Sequence, residues 1–296
     1  MRKSFVEAVL KNCNHEDCFF LTNDLGFMAL EEIRAVFGHR FVNAGVAEQN
    51  MIGVAAGMAR EGLQVIVYSI APFIYARPFE QIRNNICFEG LPIRLVGNGG
   101  GYAYGHMGPT HHALEDCAVM SALGLRVLVP AFDEDLNEII KHVSGPTYIR
   151  LGYDARSAVR SIPTYAAWRQ VLDGQNGMLV ALGPLAGVAV EALVDCEFKK
   201  RPAVWAVCEL GEGVVPKEFW GKVTGSNIYI IEEHKAEGGI GMQLAYSFLK
   251  KGIQPARFQH RHALGYPSGT FGSQEFHRKQ SGLDRESIKN LFLQDT

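Results

Sequence analysis

The sequence lacks most of the features that mark a specialised class of protein. Neither sign of charge is in excess, with 29 Lys and Arg against 31 Asp and Glu, a net charge of −2. Nothing in that balance points to nucleic acid or another polyanion as a partner. No apolar run approaches the roughly 18 residues that cross a bilayer, so no membrane span is expected. Arg2 and Lys3 near the start are not followed by an apolar core, so no secretory leader is expected either. The six cysteines are widely scattered. They read as free thiols of a reducing, cytoplasmic compartment. Cys13, His15 and Cys18 have no second half-site at metal-binding spacing. The adjacent His111 and His112 point in different directions on a helix or a strand. No metal site is therefore expected. The chain shows no internal repeat.

What is present is an alternation. Short apolar runs at Cys18–Leu21, Gln64–Tyr68, Ile93–Val96, Arg126–Val129 and Thr147–Leu151 read as strands. Between them lie helical stretches at Lys3–Lys11, Glu48–Arg60, Arg77–Ile86, Glu115–Leu123 and Glu134–Val143. Strands alternating with helices indicate an α/β fold with a mostly parallel sheet. A weakly patterned stretch with Pro163 and Asp173-Gly174 then reads as a linker. A second α/β series follows, with strands at Met178–Leu182, Ala203–Cys208 and Asn227–Ile231 and helices from Leu185 and over Ala236–Lys251. The segment 257–273 reads as irregular, and a short helix at Asp284–Leu293 ends the chain. The expectation is two α/β domains, residues 1–160 and 177–296, joined by a linker at 161–176. Ligands of open parallel sheets bind beyond the carboxyl ends of the strands, so the segments just after strands carry the functional reading.

The most distinctive of these is FVNAGVAEQNMIGVAAGMAREG, Phe41–Gly62. A short strand leads into a helix with Glu48 in its first turn, where the helix dipole favours a carboxylate. Gly53, Ala55, Ala56, Gly57 and Ala59 would let that helix pack closely against a neighbour or a cofactor. Such apolar surroundings predict a buried Glu48, and a buried carboxylate needs a partner.

This segment resembles the pyrimidine-binding segment of transketolases and deoxyxylulose-phosphate synthases. The resemblance implies that Glu48 hydrogen-bonds N1′ of thiamine diphosphate. That bond favours the tautomer whose 4′-nitrogen takes the proton from the thiazolium carbon. The family places ring-stacking aromatics after the next strand, which makes Phe73 the first candidate and Tyr75 the second. The helix from Arg77 resembles one in split transketolases and is expected to be structural, at a subunit interface. Gly108-Pro109-Thr110-His111, with Glu115-Asp116 following, resembles the family element whose histidine is an acid/base group on the substrate side. That role falls to His111, with His106 and His112 as secondary substrate-side candidates. Arg150, in YIRLG, matches a family arginine that grips the substrate phosphate.

Two departures stand out. Met107 replaces an aspartate that contacts a substrate hydroxyl in the family, and Gly99 stands where a phosphate-end histidine is expected. Both point away from the usual sugar phosphates. In the second half, Glu232-Glu233-His234 followed by Gly238-Gly239-Ile240-Gly241 resembles the transketolase C-terminal domain, which implies a dimerisation module.

A complete transketolase also carries a diphosphate- and Mg²⁺-binding domain marked by Gly-Asp-Gly, and that tripeptide does not occur here. The resemblance therefore implies a partner, an N-terminal subunit holding the diphosphate and Mg²⁺, in an α2β2 assembly that transfers a two-carbon ketol unit between sugars or sugar phosphates. The alternatives are a deoxyxylulose-phosphate-synthase-like enzyme, a 2-oxo-acid decarboxylase E1 β-type subunit, and a non-catalytic scaffold subunit.

Overall fold

A computed structural model describes residues 1–13, 16–26, 28–157 and 161–293. The Cys13, His15, Cys18 reading falls partly outside them, at His15.

Six strands build the first sheet: β1 (Cys18–Thr22), β2 (Phe41–Asn43), β3 (Gln64–Ile70), β4 (Ile93–Asn98), β5 (Arg126–Leu128) and β6 (Thr147–Leu151). All pair in parallel, in the order β2-β1-β3-β4-β6-β5. The central strands are buried on both faces, as parallel sheets require. Their apolar residues therefore run continuously, as in QVIVYSI of β3.

The second sheet holds β7 (Trp168–Leu172), β8 (Met178–Leu182), β9 (Ala203–Val207), β10 (Asn227–Glu232) and β11 (Arg257–His262), in the order β11-β10-β8-β9-β7. Only β7 runs antiparallel, against β9. The order of both sheets makes this an α/β protein.

Three local expectations need correction. The stretch 161–176 is not all linker, because it contains β7. An edge strand needs little apolar sequence, and here Trp168 and Arg169 are buried while the next three residues are half-buried. The segment 257–273 likewise begins with a strand, β11. Its residues are exposed or half-buried and rich in Arg and His, the polar dress of a protected sheet edge.

Glu48–Arg60 is helical over the expected span. The helix expected at Arg77–Ile86 is instead broken. A helix runs Ala71–Ala76, Pro78 interrupts it, and Phe79–Gln81 leads into wide π-type turns at Ile82–Cys87. Further helices at Glu31–Phe37 and Gln274–Gln280 had no counterpart in the sequence reading. No helix among the described residues is long and apolar enough to cross a membrane.

The two sheets share an interior. One apolar cluster contains Met120, Val127 and Val129 beside Trp168, Val180, Leu182, Trp205 and Val207. Backbone bonds cross the same join, Val129 N–H to Cys208 C=O at 2.8 Å and Leu210 N–H to Val127 C=O at 3.1 Å.

Candidate functional site

Helix Glu48–Arg60 buries Met51, Ile52, Ala55, Ala56 and Ala59 on one face. Its N-terminus follows β2, which sets Glu48 at the carboxyl ends of the strands. The Glu48 side chain is only 7% exposed and forms an ion pair with Arg77. Arg77 follows the helix Ala71–Ala76, four residues after Phe73, and the i, i+4 spacing lays its guanidinium over that ring. Its Cζ lies 3.8 Å from the Phe73 centroid.

His111 stands edge-on to Phe73, with ring centroids 5.2 Å apart. Tyr104 lies on another side of the imidazole at 6.1 Å. The Thr110 hydroxyl is 2.9 Å from His111 Nδ1. Glu48, Phe73 and His111 thus come together from three separate segments, with Arg77 and Tyr104 among them. At the carboxyl ends of β1 and β2, a cavity of about 200 Å³ is lined by Thr22, Asp24, Arg34 and Asn43, among others. Asn43 Nδ2 donates to Asp24 there at 3.1 Å.

The other candidates go elsewhere. Tyr75 donates its hydroxyl to Glu115 at 3.1 Å, and Glu115 pairs with Lys235 at 2.9 Å. Burial, with Glu115 adding to it, pushes the Tyr75 phenol above its ordinary range. His106 is exposed beside Met107. His112 is buried and has both ring nitrogens engaged. The Gly105 carbonyl, 3.0 Å from Nε2, can only accept, so Nε2 carries the proton and Nδ1 accepts from the Tyr266 hydroxyl at 2.6 Å. Burial lowers the His112 pKa, which suits this neutral form.

Arg150 is buried at the join of the two sheets. It donates to the carbonyls of Ala113 and Glu233, both at 2.8 Å, and pairs with Asp116 at 3.2 Å. Burial is the largest influence and opposes its charge, but Asp116, Cys117, Tyr148 and Glu233 together outweigh it and raise the guanidinium pKa. Arg150 also lines a cavity with Gly100, Glu233, Gln274 and Arg278. Asp116, Cys117 and His234 cluster closely enough to suggest an ion. The Arg150 guanidinium already neutralises Asp116 there, and a second cation would be repelled.

The loop 97–112, GNGGGYAYGHMGPTHH, is rich in glycine, which would let a ligand come close to its backbone. In the structure, side chains of the protein make that approach. A Cβ on Gly99, at φ +77°, would strike the Tyr104 ring, and one on Gly101, at φ +65°, would strike the Glu233 carboxylate. Glu233 accepts from Tyr102 N–H at 2.7 Å, Gln274 Nε2 at 2.8 Å and Arg278 Nε at 2.5 Å. Tyr102 Oη bonds both N–H and C=O of Gly265, at 2.8 and 3.1 Å. The second sheet therefore fixes the loop that carries His111. Glu232 turns the other way. It accepts Ile240 N–H, Gly241 N–H and His260 Nε2 at 2.9, 3.0 and 2.7 Å, so the Gly-Gly helix start is filled by its own carboxylate.

Sequence reasoning missed Arg77, Tyr104 and Glu233 as members of this arrangement. Tyr104 sits within the loop already singled out, and Glu233 within a segment assigned to dimerisation. Nothing local marks Arg77 as the partner of Glu48.

With this geometry in view, comparison with known proteins is informative. Residues 8–153 match the family model for the transketolase pyrimidine-binding domain. The chain belongs to the transketolase family. It is similar to a subunit of the apulose-4-phosphate transketolase of Actinobacillus succinogenes, 28% identical over 87% of this chain and 85% of that protein. It is also similar to the same-named polypeptide from Phocaeicola vulgatus, 27% identical over 99% of this chain and 96% of that one. Among solved structures it resembles a split-gene transketolase described as an inactive β4 tetramer. That likeness has a TM-score of 0.81 and 26% identity, and covers 99% of this chain and 97% of the other. Transketolase-family chains of this length thus correspond to one subunit of an enzyme, and the family is one of thiamine diphosphate-dependent transferases.

Proposed function

We propose that this chain is the pyrimidine-binding subunit of a heteromeric, thiamine diphosphate-dependent transketolase. It moves a two-carbon ketol unit from a ketose to the aldehyde of an aldose acceptor. The observation that carries this reading is the convergence of the Glu48 carboxylate and the Phe73 ring face on one flat, hydrogen-bonding group, with His111 beside them. A buried carboxylate and an aromatic face are the donor set that the pyrimidine end of the cofactor requires.

When bound, thiamine diphosphate supplies the carbon nucleophile that accepts the ketol unit. Glu48 accepts the N1′ hydrogen bond and shares its proton. Phe73 holds the ring plane, and Tyr75 braces the floor behind it through Glu115. His111 binds the reacting sugar and moves protons at its oxygens, through the Nε2 left over by the Thr110 contact. His106 and His112 flank the substrate entrance, His106 as a direct contact and His112 as a brace of the loop. The buried contacts of Arg150 support a bracing role for it as well.

Residues 1–160 form the pyrimidine-binding unit, and the C-terminal unit takes in β7 (Trp168–Leu172) together with residues 177–296. The diphosphate and Mg²⁺ belong to an N-terminal partner subunit, in an α2β2 cytoplasmic enzyme. The exposed row Met242, Tyr246 and Leu249 along one helix supports self-association through the second unit. Met107 in place of an acidic residue favours a less common substrate, and the names of the two relatives put apulose 4-phosphate first among donors to try.

The decisive experiment is Glu48→Ala assayed with the partner present. Ketol transfer should be lost while the protein stays folded, and wild-type-like turnover would sink the proposal. Carbon dioxide release from pyruvate would replace it with the synthase-like or decarboxylase reading. Failure of the assembled complex to bind thiamine diphosphate and Mg²⁺ would favour a scaffold subunit.

A further inference from the structure

Arg77 has no role in that reading, yet it touches two of the residues on which the reading depends. The guanidinium carbon lies over the Phe73 ring, 3.8 Å from its centroid, and at the same time the group donates N–H to the Glu48 carboxylate. Glu48 is nearly buried, whereas the Arg77 side chain is 43% exposed. The arginine is therefore the solvent-facing lid over the carboxylate. The other side of the arrangement is closed by His111, edge-on to the same Phe73 ring.

A guanidinium is planar, stacks on aromatic faces, and presents N–H donors along its edge. An aminopyrimidine bound as proposed would ask Phe73 and Glu48 for the same two contacts, one face and one edge. A single ring face and a single carboxylate edge cannot serve two plates at once. We propose that Arg77 is a place-holder in the pyrimidine pocket, occupying the Phe73 face and the Glu48 edge until the cofactor displaces it. This rests on the cofactor assignment made above and adds a competitor to it.

The arrangement has a physical rationale. A buried carboxylate facing an empty pocket would lack a partner, and Arg77 supplies one that solvent can release. Its exposure keeps the ion pair weak, and it sits just before Pro78, where the helix Ala71–Ala76 has already ended. The side chain can thus swing outward without disturbing a helix. The stacking and ion-pair contacts are each modest, so the expected competition is about tenfold in affinity.

The test uses the complex assembled with its diphosphate-binding partner. Thiamine diphosphate is titrated calorimetrically at saturating Mg²⁺ into wild type, Arg77→Ala and Arg77→Lys. The dissociation constant should fall about tenfold for Arg77→Ala and less for Arg77→Lys, which keeps the charge but not the plane. In parallel, phenylglyoxal labelling of Arg77 in the wild-type complex, read by mass spectrometry, should speed up when the cofactor is added. Affinity that is unchanged or weaker in a folded Arg77→Ala complex overturns the proposal, as does labelling that cofactor slows. Should Arg77→Ala unfold, Arg77→Lys and the wild-type labelling still decide. A wild-type complex that binds no cofactor removes this inference together with the function it rests on. Cofactor binding without competition removes this inference alone.

Discussion

The Glu233 carboxylate, just past β10 of the second sheet, accepts the backbone N–H of Tyr102 in the loop of the first sheet at 2.7 Å. Nine residues further along that loop is His111. The contact explains why a segment that resembles a dimerisation module is built so tightly against the candidate site. The carboxylate is held from behind by Gln274 and Arg278, so the loop is anchored to a fixed point.

Removing that anchor should be costly. Glu233→Ala leaves Arg278 and the Tyr102 N–H without their partner in a buried place, where breaking a charge pair costs about 3–5 kcal/mol. Glu233→Gln keeps an acceptor and should lose less than half of that. Urea denaturation of the two variants beside wild type measures the difference, and equal midpoints for all three would show that the contact contributes nothing.

Arg150 separates two roles by its response to a conservative change. Lysine cannot reproduce the bonds to Ala113, Glu233 and Asp116. As a buried brace, Arg150→Lys should lower stability by about 2–4 kcal/mol, somewhat less than the ~3–5 kcal/mol of a buried pair broken outright because lysine keeps the charge, and leave KM for the sugar phosphate nearly unchanged. A raised KM with intact thermal stability would instead assign it to the substrate phosphate.

His112 and His277 predict a pH dependence of stability. Burial lowers both pKa values in the folded state, and for His277 the neighbouring His112 adds to the effect. The unfolded chain, with histidine near about 6.5, then binds more protons than the folded one as pH falls below that value. Stability should be complete above about pH 6.5 and decline as pH drops through the folded values, by at most about 1.4 kcal/mol per pH unit for each histidine. Denaturant midpoints between pH 7.5 and 5 measure the slope. His112→Phe, which cannot take a proton, should flatten it.

His111 differs from His112 because its ring faces the site instead of the loop interior. His111→Ala should reduce ketol transfer by about 10²- to 10⁴-fold, the usual contribution of a positioned acid/base group. Calorimetric binding of thiamine diphosphate to the assembled complex should stay within a few-fold of wild type. A variant that loses cofactor affinity and activity together would move His111 from the substrate side to the cofactor pocket.

Much of this protein can be read from its sequence because the information is local. Continuous apolar runs such as QVIVYSI mark strands buried on both faces, and the small-residue helix after Glu48 lies where its spacing predicts. The glycine-rich loop and its histidines also stand out in the sequence as a candidate segment. What escaped were elements with weak patterns, β7 and β11 at sheet edges, where one-sided burial leaves little periodicity.

The sequence by itself determined the α/β class, the segments at the carboxyl ends of the strands, and Glu48, Phe73 and His111 as candidates, since each depends on a short motif or a repeat of two to four residues. Only the tertiary structure decided their partners. Arg77 lies 29 residues from Glu48, Arg150 lies 83 from Glu233, and Tyr102 lies 131 from Glu233. A charged side chain is chemically the same whether it faces a substrate or a carboxylate of its own protein. The packing of one sheet against the other sets which of these it meets, and that packing places Arg150 against Asp116 and the Glu233 carbonyl and makes Glu233 the anchor of the His111 loop.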